Sequence, residues 1–225
     1  MKKNSKRIEN LNKFVNNSIY NIDDAILLIK NLSTTSFIES LEIHICLNIN
    51  SKNIKQQIKG NILLPNVIKK NKRIAIFTDE LNNNLINLGA NLVGYEDLLT
   101  QISLGNINFD VLLTNKKNMS KLSSVGRILG TKGLMPSLKN GTITDNFENS
   151  INEFNSGKIN YKSDKFGIVH LIFGKSNFSF DQIKENLISV IENISKTKPL
   201  GIKGKYFKSI YICTTMSPSI KLFNY

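Results

Sequence analysis

Three short apolar runs in the middle of the chain, RIAIF (73–77), NLVGY (91–95) and DVLLT (110–114), alternate with helical segments near 80–88 and 96–104, and another helix follows near 118–129. Strand and helix taking turns at this spacing predict a small parallel sheet in a Rossmann-like three-layer α/β domain. The two ends of the chain obey a different rule. Leu41, Ile43, Ile45, Leu47 and Ile49 alternate with Glu42, His44, Cys46 and Asn48, the period of a half-buried strand. Further strands are predicted over 58–64, ending at Pro65, and over 158–161, 167–173 and 209–215. Helices are predicted over 5–16, over 23–32 with Asn21 as cap and Asp24 as a capping-box acid, over 147–156 closed by Gly157, and over 181–195. The middle therefore reads as α/β, while the ends mix alternating strands with helices.

The 225 residues, 40% of them hydrophobic, suffice for one large domain or two modest ones with a packed core. Thirty Lys and Arg against seventeen Asp and Glu give a net charge of +13, which calls for a polyanionic partner, a nucleic acid or an anionic membrane surface. No apolar run approaches the ~20 residues that span a bilayer, and MKKNSKRIEN has no apolar core of the signal-peptide kind. A cytoplasmic protein, or one made inside an organelle, is expected. The abundance of Asn, Lys and Ile fits the coding bias of an AT-rich genome, that of a reduced bacterial symbiont or an organelle. Cys46 and Cys213 stand singly in alternating runs. Buried reduced thiols need nothing further, whereas a disulfide needs adjacent strands and an oxidising compartment.

The stretch GRILGTKGLMPSLKNGTIT (126–144) sets Arg127, Lys132 and Lys139 among glycines with no carboxylate nearby, and reads as a basic loop. In it Gly126, Gly130 and Gly133 supply left-handed backbone or close approach, and Pro136 supplies stiffness. It is not a nucleotide phosphate loop: three residues rather than four separate Gly126 from Gly130, and Gly133 follows Lys132 where a hydroxyl should hold magnesium. Nor does a GxGxxG follow RIAIF, where TDELNNN stands. The pairs Asp23-Asp24, Asp79-Glu80 and Glu96-Asp97 fall near predicted helix starts, where carboxylates favour the dipole. His44 and His170, the two histidines, lie in strand-like runs away from any nucleophile. There is no CxxC, Cys/His cluster or metal spacing, so neither enzyme chemistry, nor a metal, nor a cofactor is expected.

The stretch LGTKGLMPSLKNGTI (129–143) closely resembles a signature of the ribosomal protein L-one family, the universal protein of the mobile stalk near the tRNA exit site. Similar segments run through nearly the whole chain: FIESLEIHI (37–45), IKGNILLP (58–65), LVGYEDL (92–98), FDVLLT (109–114), SDKFGIVH (163–170) and SIYICTTMSPS (209–219). The resemblance implies a discontinuous α+β rRNA-binding domain from residues 1–67 and 159–225, with an α/β domain, 68–158, inserted between them. The inserted segment carries eleven basic and eight acidic residues and the flanks nineteen and nine, so +10 of the net charge falls on the flanks.

The same resemblance implies a structural constituent of the large ribosomal subunit that binds 23S-type rRNA at the stalk, supports release of tRNA from the exit site and represses translation of its own mRNA. Its partners would be that rRNA, exit-site tRNA, the message and the subunit, with a monomer off the ribosome and no membrane. The implied rRNA-binding residues are Phe37, Lys59, Asp164, Lys165, His170, Ser209, Thr215, Met216 and Ser217, with Arg127, Lys132 and Lys139 as secondary RNA or interdomain contacts. The turn Thr214-Thr215-Met216-Ser217 offers hydroxyls and an apolar side chain suited to RNA sugars. Departures from the family pattern are Ser217 for its usual glycine, Ser36 for a lysine, Lys59 for an arginine, Asn66-Val67-Ile68-Lys69 for a glycine-rich crossing, and Thr131 and Leu138 for two prolines. A non-ribosomal RNA regulator of the same fold and a nucleotide-dependent enzyme on the central segment are the alternatives.

Overall fold

The computed structural model of the protein describes residues 6–15, 18–50, 56–68, 72–79, 84–199, 202 and 204–223. The elements in chain order are α1 (Lys6–Phe14), α2 (Ile22–Leu32), β1 (Ser40–Leu47), β2 (Lys59–Leu63), β3 (Ile74–Phe77), α3 (Asn84–Asn87), β4 (Leu92–Gly94) and α4 (Glu96–Ser103). They continue with β5 (Val111–Thr114), α5 (Met119–Leu122), α6 (Gly126–Thr131), α7 (Phe147–Asn155), β6 (Lys158–Lys162), β7 (Ile168–Lys175), α8 (Phe180–Lys196), β8 (Phe207–Thr214) and β9 (Ile220–Leu222). Two compact units result, residues 1–68 with 161–225 and residues 69–160. None of the helices among the described residues is long and apolar enough to cross a membrane.

In the first unit the strand order is β7-β1-β8-β9, all neighbours antiparallel, with β1 and β8 joining distant parts of the chain. Alternation along β1 sends Leu41, Ile43, Ile45 and Leu47 to the buried face and leaves Glu42, His44 and Cys46 on the other. The buried face meets Ala25, Ile26, Ile29 and Leu32 of α2 and Ile183, Leu187, Val190 and Ile194 of α8, the longest helix. Ser179 begins α8 with a capping box: its hydroxyl accepts from the Gln182 N–H and the Gln182 side chain accepts from the Ser179 N–H. Asn21 opens α2 without any side-chain cap bond, contrary to the sequence expectation. The side chain of Asn186 lies wholly inside this core. Asn186 donates to the carbonyls of Asn66 and Phe173 and accepts from the Asn66 N–H, fixing the segment that leaves β2 onto α8. The strands β2 and β6 form a separate two-stranded sheet.

The second unit holds a parallel sheet of order β4-β3-β5. Its central strand is buried along its whole length, and successive residues serve opposite layers. Ala75 and Phe77 pack with Leu98, Ile102, Leu122 and Leu129, while Ile74 and Ile76 pack with Leu85, Ile151 and Phe154. Helices therefore cover both faces, as a parallel sheet requires.

The glycine-rich stretch is helical in its first half. Leu122, Val125 and Leu129, spaced for one helix face, are buried along α5, the 3-10 turn Ser123–Val125 and α6, and draw Gly126 and Gly130 into α6. Of the three glycines expected to supply left-handed backbone or close approach, Gly133 adopts left-handed backbone, at φ 71°, and Gly141 joins it at φ 63°. The acidic pairs also divide. Asp23-Asp24 and Glu96-Asp97 occupy first turns of α2 and α4, but Asp79 accepts a bond from the Asn118 side chain, and Glu80 lies outside the described residues.

Candidate nucleic-acid interface

At one end of the four-stranded sheet, two chain segments are tied together by a carboxylate that is wholly buried. Glu39 sits in phase with Leu41 and Ile43, so the alternation of β1 points it inward. Its oxygens accept from the Thr35 hydroxyl at 2.7 Å and the Met216 N–H at 3.3 Å, and the Arg7 guanidinium lies 3.8 Å away. Burial alone would raise its pKa, but the Thr214 and Thr35 hydroxyls, the Met216 N–H and Arg7 hold it below the ordinary carboxylate range. Glu39 thus links the bend that presents Phe37 to the turn that presents Met216, and these two apolar side chains are about half exposed, at 52% and 48%.

The hydroxyls of that turn are largely engaged within the protein. Thr215 Oγ1 accepts from the Ser40 N–H at 3.0 Å, and its own N–H donates to the Ser40 carbonyl. Ser217 Oγ accepts from the Thr214 N–H at 2.9 Å and donates to the Pro218 carbonyl. Thr215 and Ser217 therefore shape the turn, and Met216 is the side chain it holds out. No described residue other than glycine has positive φ, so Ser217 takes the place of the family's usual glycine without backbone strain.

The face of the sheet away from its helices is mostly polar, with Ile172 exposed on it. His170 on β7 lies opposite His44 on β1, and Ser209 on β8 lies opposite Cys46. The His44 and His170 rings meet through their Nδ1 atoms at 2.8 Å, and His44 Nε2 lies 3.2 Å from Cys213 Sγ. Burial and then His170 lower the His44 pKa and so favour the neutral ring, an effect that Glu42 partly offsets. Burial pushes the Cys213 thiol up to about 11. Both cysteines are free and half-buried rather than fully buried, because they lie on this open face. The register sets Cys213 opposite Glu42 and Cys46 opposite Ser209, so adjacent strands do not bring the two sulfurs together.

Asp164 organises the turn before β7. Its Oδ1 accepts from the N–H groups of Phe166 at 2.9 Å and Ile168 at 2.6 Å, and its other oxygen lies 3.8 Å from His170 Nε2. Desolvation would raise its pKa, yet the two N–H groups and His170 hold it below the usual range. The turn leaves Lys165 and Phe166 exposed, the latter at 81%. Sequence reading passed over Phe166, although an aromatic residue beside a lysine in a turn is a usable signal for base stacking. Lys59 is exposed at the start of β2.

Arg127, Lys132 and Lys139 belong to the second unit, where all three are exposed. That unit has a cleft of about 380 Å³ beyond the carboxyl ends of β3 and β5, lined by Thr78, Asn115, Asp145, Asn146 and Glu148 among others. Such a crevice is where open α/β sheets receive nucleotides, but among the described residues two carboxylates and no basic side chain line it, which repels a phosphate.

The sequence profile of the Ribosomal protein L1p/L10e family matches residues 28–218. A protein of Phaeodactylum tricornutum (strain CCAP 1055/1) named large ribosomal subunit protein uL1c is 47% identical over 224 residues, covering 99% of this chain and 97% of the relative. The protein of the same name from Trieres chinensis is 45% identical with the same coverage. Large ribosomal subunit protein uL1 of Prochlorococcus marinus (strain MIT 9215) is 41% identical over 223 residues, 99% of this chain and 95% of the relative. Members of this family are structural ribosomal proteins and not enzymes. With a profile match over most of its length and relatives alike from end to end, the chain belongs to the ribosomal protein L1p/L10e family.

Proposed function

We propose that the chain is a structural constituent of the large ribosomal subunit that grips 23S-type stalk rRNA with its discontinuous α+β unit and supports departure of tRNA from the exit site. The relatives' names support the subunit. The observation that carries the site is the Glu39 junction, which holds Phe37 and Met216 out from one buried anchor. Apolar side chains fixed on a rigid turn can pack on riboses and unstacked bases, and surrounding cations can neutralise phosphates. The +10 charge of the flanking segments supplies that attraction. His170 and Ser209 extend the surface along the open face and Lys165 in the turn before β7, while Lys59 adds an exposed cation on β2. Relatives named uL1c favour the organellar alternative for the ribosome concerned.

Thr215→Ala combined with Met216→Ala tests the assignment. The pair should weaken binding to an isolated stalk rRNA fragment roughly tenfold or more, the size of one stacking contact of about 1–3 kcal/mol, while leaving binding to a duplex of equal length unchanged. Equal losses on both RNAs would remove this turn from specific recognition.

A further inference from the structure

On the open sheet face, Glu42, His44 and Cys213 bring a carboxylate oxygen, an imidazole nitrogen and a sulfur within 4.8 Å of one another. We propose that these three side chains bind one zinc-class divalent cation, with a fourth coordination position open to solvent. The strands place the ligands by register. Glu42 and His44 are two residues apart on the same face of β1, and Cys213 is paired directly with Glu42 across the β1–β8 ladder. His44 Nε2 stands 3.2 Å from Cys213 Sγ and 3.8 Å from Glu42 Oε2. A tetrahedral zinc ion with bonds of ~2.0–2.3 Å holds neighbouring donors ~3.3–3.6 Å apart, so small side-chain rotations complete the site. An N, S and O donor set suits a borderline-soft cation such as Zn²⁺ or Co²⁺ and suits Mg²⁺ or Ca²⁺ poorly. Thiolate and carboxylate together cancel the charge of the dication, so the loaded site is neutral.

A chain of partners behind His44 supports the same assignment. With metal on Nε2, His44 must carry its proton on Nδ1, which donates to His170 Nδ1 at 2.8 Å. His170 then carries its proton on Nε2, which faces the Asp164 carboxylate at 3.8 Å. One tautomer of each ring satisfies the arrangement from metal to carboxylate, the outer-shell support that ligating histidines characteristically have. The ligands' own contacts without metal are a thiol and an imidazole in hydrogen bond; metal binding replaces that bond and releases the thiol proton to solvent.

The site stands independently of RNA binding, so it is tested on the full chain alone, reduced and stripped with chelator. Titration with Co²⁺ should saturate at one equivalent with a thiolate-to-cobalt charge-transfer band, displaced by one equivalent of Zn²⁺. Cys213→Ser should abolish the band and Cys46→Ser should keep it. His170→Ala should keep the band but weaken binding about 10–100-fold, as loss of an outer-shell partner does. Absence of the band in the unsubstituted chain, or its survival in Cys213→Ser, overturns the proposal. X-ray absorption of the zinc-loaded unsubstituted chain provides a readout that needs no variant: one sulfur with lighter donors is expected, and a shell without sulfur overturns the site.

Discussion

The two units solve the same covering problem in opposite ways. The antiparallel sheet of the first unit buries one face on α2 and α8 and keeps the other mostly for polar side chains. The parallel sheet of the second is buried on both faces, and its polar groups gather at strand ends. Charge follows the same division, with +10 on the first unit's segments and +3 on the second's. An open face flanked by cations and exposed Phe37 and Met216 can receive a polyanion along its length, whereas a sheet enclosed in helices can offer only its ends.

The strongest way to break this comparison is to remove the buried anchor of the first unit. Glu39→Ala leaves the Met216 N–H without its acceptor and removes the carboxylate that draws in Thr35 and Arg7, and should cost about 3 kcal/mol of stability in urea unfolding together with a loss of stalk-fragment affinity. Stability lost without affinity would detach the junction from RNA recognition. The pH dependence has a definite sign. Because the fold lowers the Glu39 pKa below its ordinary 4.5, its stabilisation is present above about pH 4.5 and is lost as pH falls through the folded value. Glu39→Gln should therefore flatten the acid limb of the stability profile, and an unchanged limb would contradict the role given to this group.

Next in size is Asn186→Ala, which orphans the Asn66 N–H and should cost about 2 kcal/mol. A change within experimental error would show that Asn66 finds other partners.

In the second unit the glycines separate by conformation. Gly130→Ala, in a helix with open space around it, should stabilise by about 0.5–1 kcal/mol. Gly133→Ala, at φ 71°, should destabilise by about 1 kcal/mol or more. Effects of the same sign at both positions, read by thermal unfolding, would contradict the helix boundary.

The smallest expected effects are electrostatic. Lys59→Ala should lower the salt slope of RNA binding by about one, as loss of a single phosphate contact does. The triple change of Arg127, Lys132 and Lys139 to alanine should move fragment affinity less than Thr215→Ala with Met216→Ala. A larger effect from the triple would shift the main interface to the second unit.

Much of this was legible where one physical rule acts alone. Period-two alternation marked β1 and β8, and short apolar runs marked β3, β4 and β5. The basic stretch was expected both to end a helix near 129 and to form a loop from Gly126; the helix runs on to Thr131, because burial of Leu122, Val125 and Leu129 prevailed over glycine punctuation. Glu39 was available to the same alternation that found β1, since it lies in phase with the buried residues. Its charge disguised it, and its partners at Thr35 and Met216 could not be known without the fold. The grouping of Glu42, His44 and Cys213 was beyond sequence reading altogether. It depends on the β1–β8 register, which joins positions some 170 residues apart.

The account rests most directly on whether the chain distinguishes stalk RNA from charge alone, which its affinity for an isolated stalk rRNA fragment and for an equal-length duplex, across a range of salt concentrations, would measure. Preference for the fragment should persist at high salt, because packing and sugar contacts are less screened than phosphate contacts. Equal, steeply salt-dependent binding to both RNAs would contradict specific recognition and leave only the generic attraction of a basic protein.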